Sequence, residues 1–256
     1  MEARFFFNDI GVMLGRSMRH VFRSMDTIIK VALMPIAMML LFVYVFGGAI
    51  QSGGGSYVGY LLPGILLMAI ASGIAYTAYR LFLDVQKGIF ERFHSMPVAH
   101  SAVLWGHVLT SLVSNAISLV VIVLVALVMG FRSPAGVLSW LAVIGMLALF
   151  TLALTWIAAI AGLSAKSVEG AGAFAYPLIF LPFVSSAFVP TRTMPPVVRA
   201  FAENQPVTSI VNGIRALLSN QPVNNDIWIA IAWCVGIMVV ACFFAMRAYR
   251  RRVLSR

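Results

Sequence analysis

Six long apolar runs, at residues 28–49, 57–79, 101–130, 137–162, 171–189 and 227–246, constrain this chain more than any other feature. A helix needs about 20 apolar residues to cross a hydrocarbon core of about 30 Å, and each run is near or above that length. In lipid every backbone N–H and C=O must find a partner within the protein, so runs of this kind are helices. Composition agrees. The chain is 61% hydrophobic and 10% charged, against about 45–50% and about 25% in soluble domains. It has too little polar surface to cover a water-soluble globule. The expected fold is all-α and integral to the membrane, with six transmembrane helices in a single domain over 1–256. The run at 101–130 exceeds what a span needs and is expected to tilt or protrude.

The net charge of +10 raises nucleic acid as a partner, but the placement of the charges argues against it. Basic residues cluster before the first run (Arg4, Arg16, Arg19, Arg23), between the second and third (Lys87, Arg92) and after the last (Arg247, Arg250, Arg251, Arg252, Arg256). Six spans put both termini on one side. That side then holds fourteen of the eighteen Lys and Arg residues, and the other only Arg132, Arg192, Arg199 and Arg215. By the positive-inside rule the basic side is cytoplasmic. The expectation is a multi-pass protein of the plasma (inner) membrane with both termini in the cytoplasm. The first run is as long as a span, with no small-residue cleavage site behind a shorter one, so no cleavable signal is expected. Cys234 and Cys242 stand eight residues apart on one run, about 12 Å along a helix, and cannot pair with each other.

Three segments outside the runs carry content. On a helical wheel Phe7, Ile10, Leu14, Met18, Val21 and Met25 share one sector, with Asn8, Asp9, Arg16, Arg19, His20 and Arg23 opposite. Residues 1–26 therefore read as an amphipathic interfacial helix on the cytoplasmic leaflet, in contact with membrane lipids. The cytoplasmic stretch 84–97 mixes charge with Ile89, Phe90 and Phe93 and stops at Met96-Pro97. It is either a short amphipathic plug for a partner's groove or a solvated loop that only obeys charge topology. The exterior stretch 190–226 is long for a structureless connection. Pro195 and Pro196 can start a helix that Asn204-Gln205-Pro206 breaks. Residues 208–218 follow as a second helix, apolar along Val207, Ile210, Val211, Ile214 and Leu217. Both are too short to span and apolar enough to re-enter the outer leaflet.

Catalytic and nucleotide motifs do not occur. There is no G-x-x-x-x-G-K-[ST], no H-E-x-x-H and no G-x-S-x-G, so neither an enzyme activity nor a catalytic, cofactor or metal site is expected in this chain. His94, His100 and His107 have no carboxylate nearby at ligand spacing. The eight acids, Glu2, Asp9, Asp26, Asp84, Glu91, Glu169, Glu203 and Asp226, fall at or beyond the ends of the runs, whose interiors offer Ser111, Ser114, Asn115, Thr151 and Thr155. Ion-driven transporters commonly keep ionisable groups at mid-membrane depth. Energy for any uphill movement is therefore expected from another chain.

The exterior stretch from Phe188 to Thr208, followed by Asn212-Gly-Ile-Arg-Ala-Leu217, resembles the signature region of type-2 ABC exporter permeases, in particular the daunorubicin-resistance membrane subunit and its drug-export relatives. Gly88 to Pro97 resembles that family's first coupling helix, and the likeness runs through the whole chain. Arg192 departs from the acidic or neutral residue that many relatives carry. The resemblance implies a permease that pairs with a second permease subunit, the same or different, and sits on two separate ABC ATPase subunits that hold ATP and Mg. It implies ATPase contacts at Gly88, Glu91, Arg92, Met96 and Pro97, to which the residue pattern adds Phe90 and Phe93 as aromatic anchors. It places Pro190, Met194, Pro195, Phe201, Glu203, Asn204, Pro206, Asn212 and Arg215 in an exterior re-entrant region. The implied activity is export of a drug-like, lipid or glycan substrate; the alternative is a non-transporting membrane scaffold.

Overall fold

The computed structural model describes residues 25–47, 57–88 and 100–254. Every regular element among them is helical. Helix α1 (Met25–Leu40) runs on into a π-helical turn, Leu41–Phe46. Then come α2 (Tyr57–Gln86), α3 (His100–Val128) and α4 (Val137–Ser164). Two short helices, α5 (Val168–Ala173) and α6 (Ala175–Phe180), lead into a 3-10 turn at Leu181–Val184. A second 3-10 turn at Thr191–Thr193 precedes α7 (Pro196–Asn204), α8 (Pro206–Leu218) and the closing α9 (Asp226–Leu254).

Among the described residues four helices are long and apolar enough to cross a membrane: Tyr57–Gln86, Leu104–Val128, Val137–Ser164 and Asp226–Tyr249. Shorter apolar stretches lie at Val31–Val45 and Val168–Val184. The run expected at 171–189 is thus broken into three pieces rather than one rod. The cause is local. Pro177 and Pro182 lack the N–H that would close a bond to the residue four back, and their rings crowd that carbonyl. Ser167 caps the N-terminal piece, its hydroxyl accepting from the Gly170 N–H at 3.1 Å. In α1, Pro35 removes one rung in the same way.

The core is built around α2, which packs against α1, α3, α4, α5, α6 and α8. Leu61, Leu62, Ile65, Leu66, Leu67, Ile70 and Ile74 are all fully buried. In the apolar window of α2, 72% of residues are buried within the protein, against 22% in α9. Helix α2 is therefore the axis, and α9 lies at the periphery against α4 and α8. The outward faces, with Val120 and Leu124 on α3, Leu138 and Leu141 on α4 and Phe243 and Phe244 on α9, are apolar and exposed. In a bilayer such surface is matched to its solvent, so these faces are what a multi-pass membrane protein presents to lipid chains.

Helix directions alternate, and the ends sort accordingly. At one end the first turn of α2, the α3–α4 turn and the C-terminus of α8 meet: the Phe131 ring lies against Gly59, and the Ser133 hydroxyl donates to the Leu218 carbonyl at 2.6 Å. At the other end Leu81, Leu104, Trp156, Leu163 and Tyr249 bury one another in a second apolar cluster, with the Trp105 and Trp156 rings edge to face at 5.3 Å.

Candidate functional site

The break after Leu181–Val184 leaves backbone carbonyls without helical partners, and buried ones must find donors elsewhere. Arg215 on α8 supplies them. Its Nη2 donates to the carbonyls of Ser186 at 2.8 Å, Tyr60 at 3.0 Å and Ala187 at 3.4 Å, and Nη1 reaches the Asn212 Oδ1 at 3.3 Å. The guanidinium carbon lies 3.8 Å from the centroid of the Tyr60 ring. Asn212 also accepts from the Ser186 hydroxyl at 2.7 Å, and the Tyr60 hydroxyl donates to the Ser186 carbonyl at 3.2 Å. One cation thus joins α2, the 185–188 turn and α8. Only the planar fork of an arginine can serve several acceptors and stack on a ring together.

Small residues let the turn come this close. A Cβ on Gly64 would stand 2.5 Å from the Ala187 Cβ. Beside it the Phe188 ring stacks on Phe42 at 4.9 Å and on Phe183 at 4.8 Å, which ties the π-helical end of α1 to the same turn. The Gln205 side-chain amide donates to the Val184 carbonyl, and Thr208 to the Ala202 carbonyl, so the α7–α8 corner is held from both sides.

The nine residues expected in the exterior region all lie in this cap, in different settings. Asn212 and Arg215 meet in the hub. Pro195 and Pro206 open α7 and α8, where a missing N–H costs nothing. The Pro190 carbonyl accepts from the Thr193 N–H at 3.1 Å. Asn204 donates to the Ala200 carbonyl at 2.8 Å. Glu203 is exposed, 2.7 Å from Arg199 Nε and 3.3 Å from the Thr191 hydroxyl. The bond from Arg199 holds its carboxyl below the usual range, against a smaller opposing effect of desolvation. Phe201 is exposed and Met194 half-buried, both apart from the hub.

Deeper in the bundle a seam of neutral polar groups crosses three helices. Thr77 on α2 donates to the Ser111 hydroxyl at 3.0 Å, and Ser111 on α3 shares a hydrogen bond with Thr155 on α4 at 3.1 Å. Asn115 donates to the Ser111 carbonyl at 2.9 Å, and its Oδ1 lies over Gly73, where a Cβ would stand 2.3 Å away. Ser111, Asn115 and Thr155 are three of the five interior polar residues picked out in the sequence, joined here by Thr77, and they glue helices together; Thr151 instead donates to the Leu147 carbonyl of its own helix at 2.7 Å.

At the opposite end α2 stops at Lys87–Gly88. Gly88 has φ +64°, in the left-handed region that favours glycine, and its N–H reaches the Val85 carbonyl at 3.2 Å. Nearby, His107 Nε2 on α3 stands 3.2 Å from Asp84 Oδ2 on α2. Linear spacing hid this pair, because α2 and α3 are joined across residues 89–99. Of the expected ATPase contacts only Gly88 is among the described residues; Phe90, Glu91, Arg92, Phe93, Met96 and Pro97 lie outside them. So do Phe7, Ile10, Leu14, Met18 and Val21, with Arg16, Arg19 and Arg23, of the interfacial helix. Among the described residues no three His, Cys, Asp or Glu side chains gather.

Comparison with known proteins places this architecture. The profile of the ABC-2 type transporter family matches residues 8–219, which takes in every feature above except α9. The chain is 28% identical over 250 residues to the "Daunorubicin resistance ABC transporter permease protein DrrB1" of Streptomyces coeruleorubidus, covering 93% of this chain and 87% of the relative. It is 25% identical over 255 residues to the "Probable doxorubicin resistance ABC transporter permease protein DrrC" of Mycobacterium tuberculosis, covering 97% and 91%. The chain belongs to the ABC-2 type transporter family.

Proposed function

We propose that this chain, as an ABC-2 type transporter family member, is the membrane permease subunit of an exporter that carries a drug-like, lipid or glycan substrate out of the cytoplasm. An anthracycline-type drug is the first substrate to test, because the relatives bear daunorubicin and doxorubicin resistance in their names. The observation that carries the reading is the family match across residues 8–219, which spans both the connection after Gly88 and the α7–α8 cap. The chain lies in the plasma (inner) membrane as six spans, with α1 and the broken α5–α6 segment as the first and fifth. Both termini are cytoplasmic, and 1–256 forms one permease domain. Helices α7 and α8 re-enter the outer leaflet. A second permease subunit, the same or different, completes the pathway, and two separate ABC ATPase subunits supply ATP and Mg.

Two observations support the division of labour. The interior seam of Thr77, Ser111, Asn115 and Thr155 is neutral, and described acids such as Asp84, Glu169 and Asp226 stand near helix ends. Neutral polar groups can pass or pack a substrate, but they cannot carry the proton that an ion-driven cycle needs. The energy then enters at the cytoplasmic connection after Gly88, where Phe90 and Phe93 would anchor the ATPase and Glu91 and Arg92 set its register. The test is co-purification with the ATP-binding subunit and drug-stimulated ATP hydrolysis. Wild type is expected to show both, and Phe90→Ala with Phe93→Ala, or Glu91→Ala alone, to lose them while still inserted. Full retention by these variants would refute the coupling assignment.

A further inference from the structure

We propose that Asp84 and His107 are positioning residues for ATPase docking: their contact fixes how the last turn of α2 lies against the start of α3, and so sets the spacing of the two helix ends that present the docking connection. This rests on the coupling role proposed above. Asp84 sits in the last turn of α2, where the helix dipole disfavours a carboxylate, and that turn has no basic residue of its own. A local rule broken at a helix end calls for a compensating partner. One partner is His107, at 3.2 Å, in the early part of the next helix.

The surroundings make the contact geometrically defined. One turn below Asp84, Leu81 is buried, and Leu104 and Val108 flank His107 in the same apolar cluster. The pair caps that cluster with its side chains 31% and 17% exposed respectively, enough shielding for an orientation to persist. Arg80, one turn earlier, lies toward the Tyr76 ring at 5.9 Å. Immediately beyond the pair the chain turns out of α2 through Gly88 at φ +64°. The clamp therefore stands where the bundle hands over to the connection, and motion there passes straight into α2, the axis of the fold.

At 3.2 Å the Nε2–Oδ2 contact is within hydrogen-bonding distance, which gives the test its conservative arms. Asp84→Asn keeps an acceptor, and His107→Gln keeps a donor; Asp84→Leu and His107→Leu keep neither. In lipid nanodiscs, spin labels at Lys87→Cys and Ser101→Cys report the spacing of the helix ends without any partner. A narrow distance distribution is expected in wild type and Asp84→Asn, and a shifted or broadened one in both Leu variants. In the complex, each Leu variant should weaken retention of the ATP-binding subunit about tenfold. The double Leu variant should be no worse than either single one, and the Asn and Gln variants should fall within about threefold of wild type. Unchanged distances in the Leu variants, or additive losses in the double variant, would overturn the clamp. Altered distances with unaltered retention would overturn its link to docking. A wild-type chain that retains no ATP-binding subunit while its distances still respond would instead sink the exporter reading, so the two failures are distinguishable.

Discussion

Replacing Arg215 with Met should unseat the α7–α8 cap. The guanidinium makes four hydrogen bonds, at 2.8 Å to Ser186, 3.0 Å to Tyr60, 3.3 Å to Asn212 and 3.4 Å to Ala187, and stacks on Tyr60 at 3.8 Å. Hydrogen bonds to a charged donor are worth about 1.5–3 kcal/mol each, and a shielded cation–π contact about 2 kcal/mol. Much of that sum is cancelled by the cost of desolvating the charge, several kcal/mol per buried ion. What survives is the one-sided loss: the turn's carbonyls stay in place and their donor is gone. A buried acceptor left without its donor costs about 1–3 kcal/mol. Arg215→Lys keeps the charge but not the fork, and should recover less than half of this. The assay is unfolding in mixed micelles, followed by tryptophan fluorescence, with the Trp105–Trp156 pair as an internal reporter. A loss under about 1 kcal/mol for Arg215→Met would refute the hub as the element that makes the broken segment tolerable.

Three further outcomes follow from the packing. Gly64→Val should destabilise by about 1–3 kcal/mol through overpacking against Ala187, read in the same unfolding assay, whereas Gly145→Ala, with open space around its position, should not. Ser111→Ala, at the centre of the seam, should lower stability by between about 0.6 and about 1.7 kcal/mol, the mean and the maximum for interhelical hydrogen bonds measured in a membrane protein. The Arg199–Glu203 bond lowers the folded pKa of Glu203, so its contribution is complete above the unfolded value and is lost as pH falls through the folded one. Amide exchange in α7, corrected for intrinsic rates, should therefore quicken at and below the ordinary carboxylate range, and Glu203→Gln should abolish that dependence.

The long helices were legible because their signal is local. Uninterrupted apolar length reads directly as a span, and α2, α3, α4 and α9 begin within a residue of the expected starts. Pro196 likewise announced α7, whereas Pro206, read only as a break, is itself the first residue of α8. The broken fifth segment was less legible: Pro177 and Pro182 were visible, but apolar length masked their effect. The hub escaped although the resemblance had named Asn212 and Arg215, because from the residues themselves Arg215 read only as one of four charges on the less basic side. Its role depends on Tyr60 and Ser186, brought near by folding, and on the closeness that Gly64 and Ala187 permit. Asp84 and His107 were each seen and set aside for the same reason, since helix pairing, and not sequence spacing, puts them at 3.2 Å.

The most direct test of the central claim is transport itself. Inside-out membrane vesicles carrying this chain and its ATP-binding subunit should accumulate a fluorescent anthracycline when ATP and Mg are added. Vesicles with either subunit alone, or with a non-hydrolysable nucleotide, should not. ATP-independent accumulation that instead follows an imposed proton gradient would contradict the account, in which ATP hydrolysed on the partner subunit drives the movement.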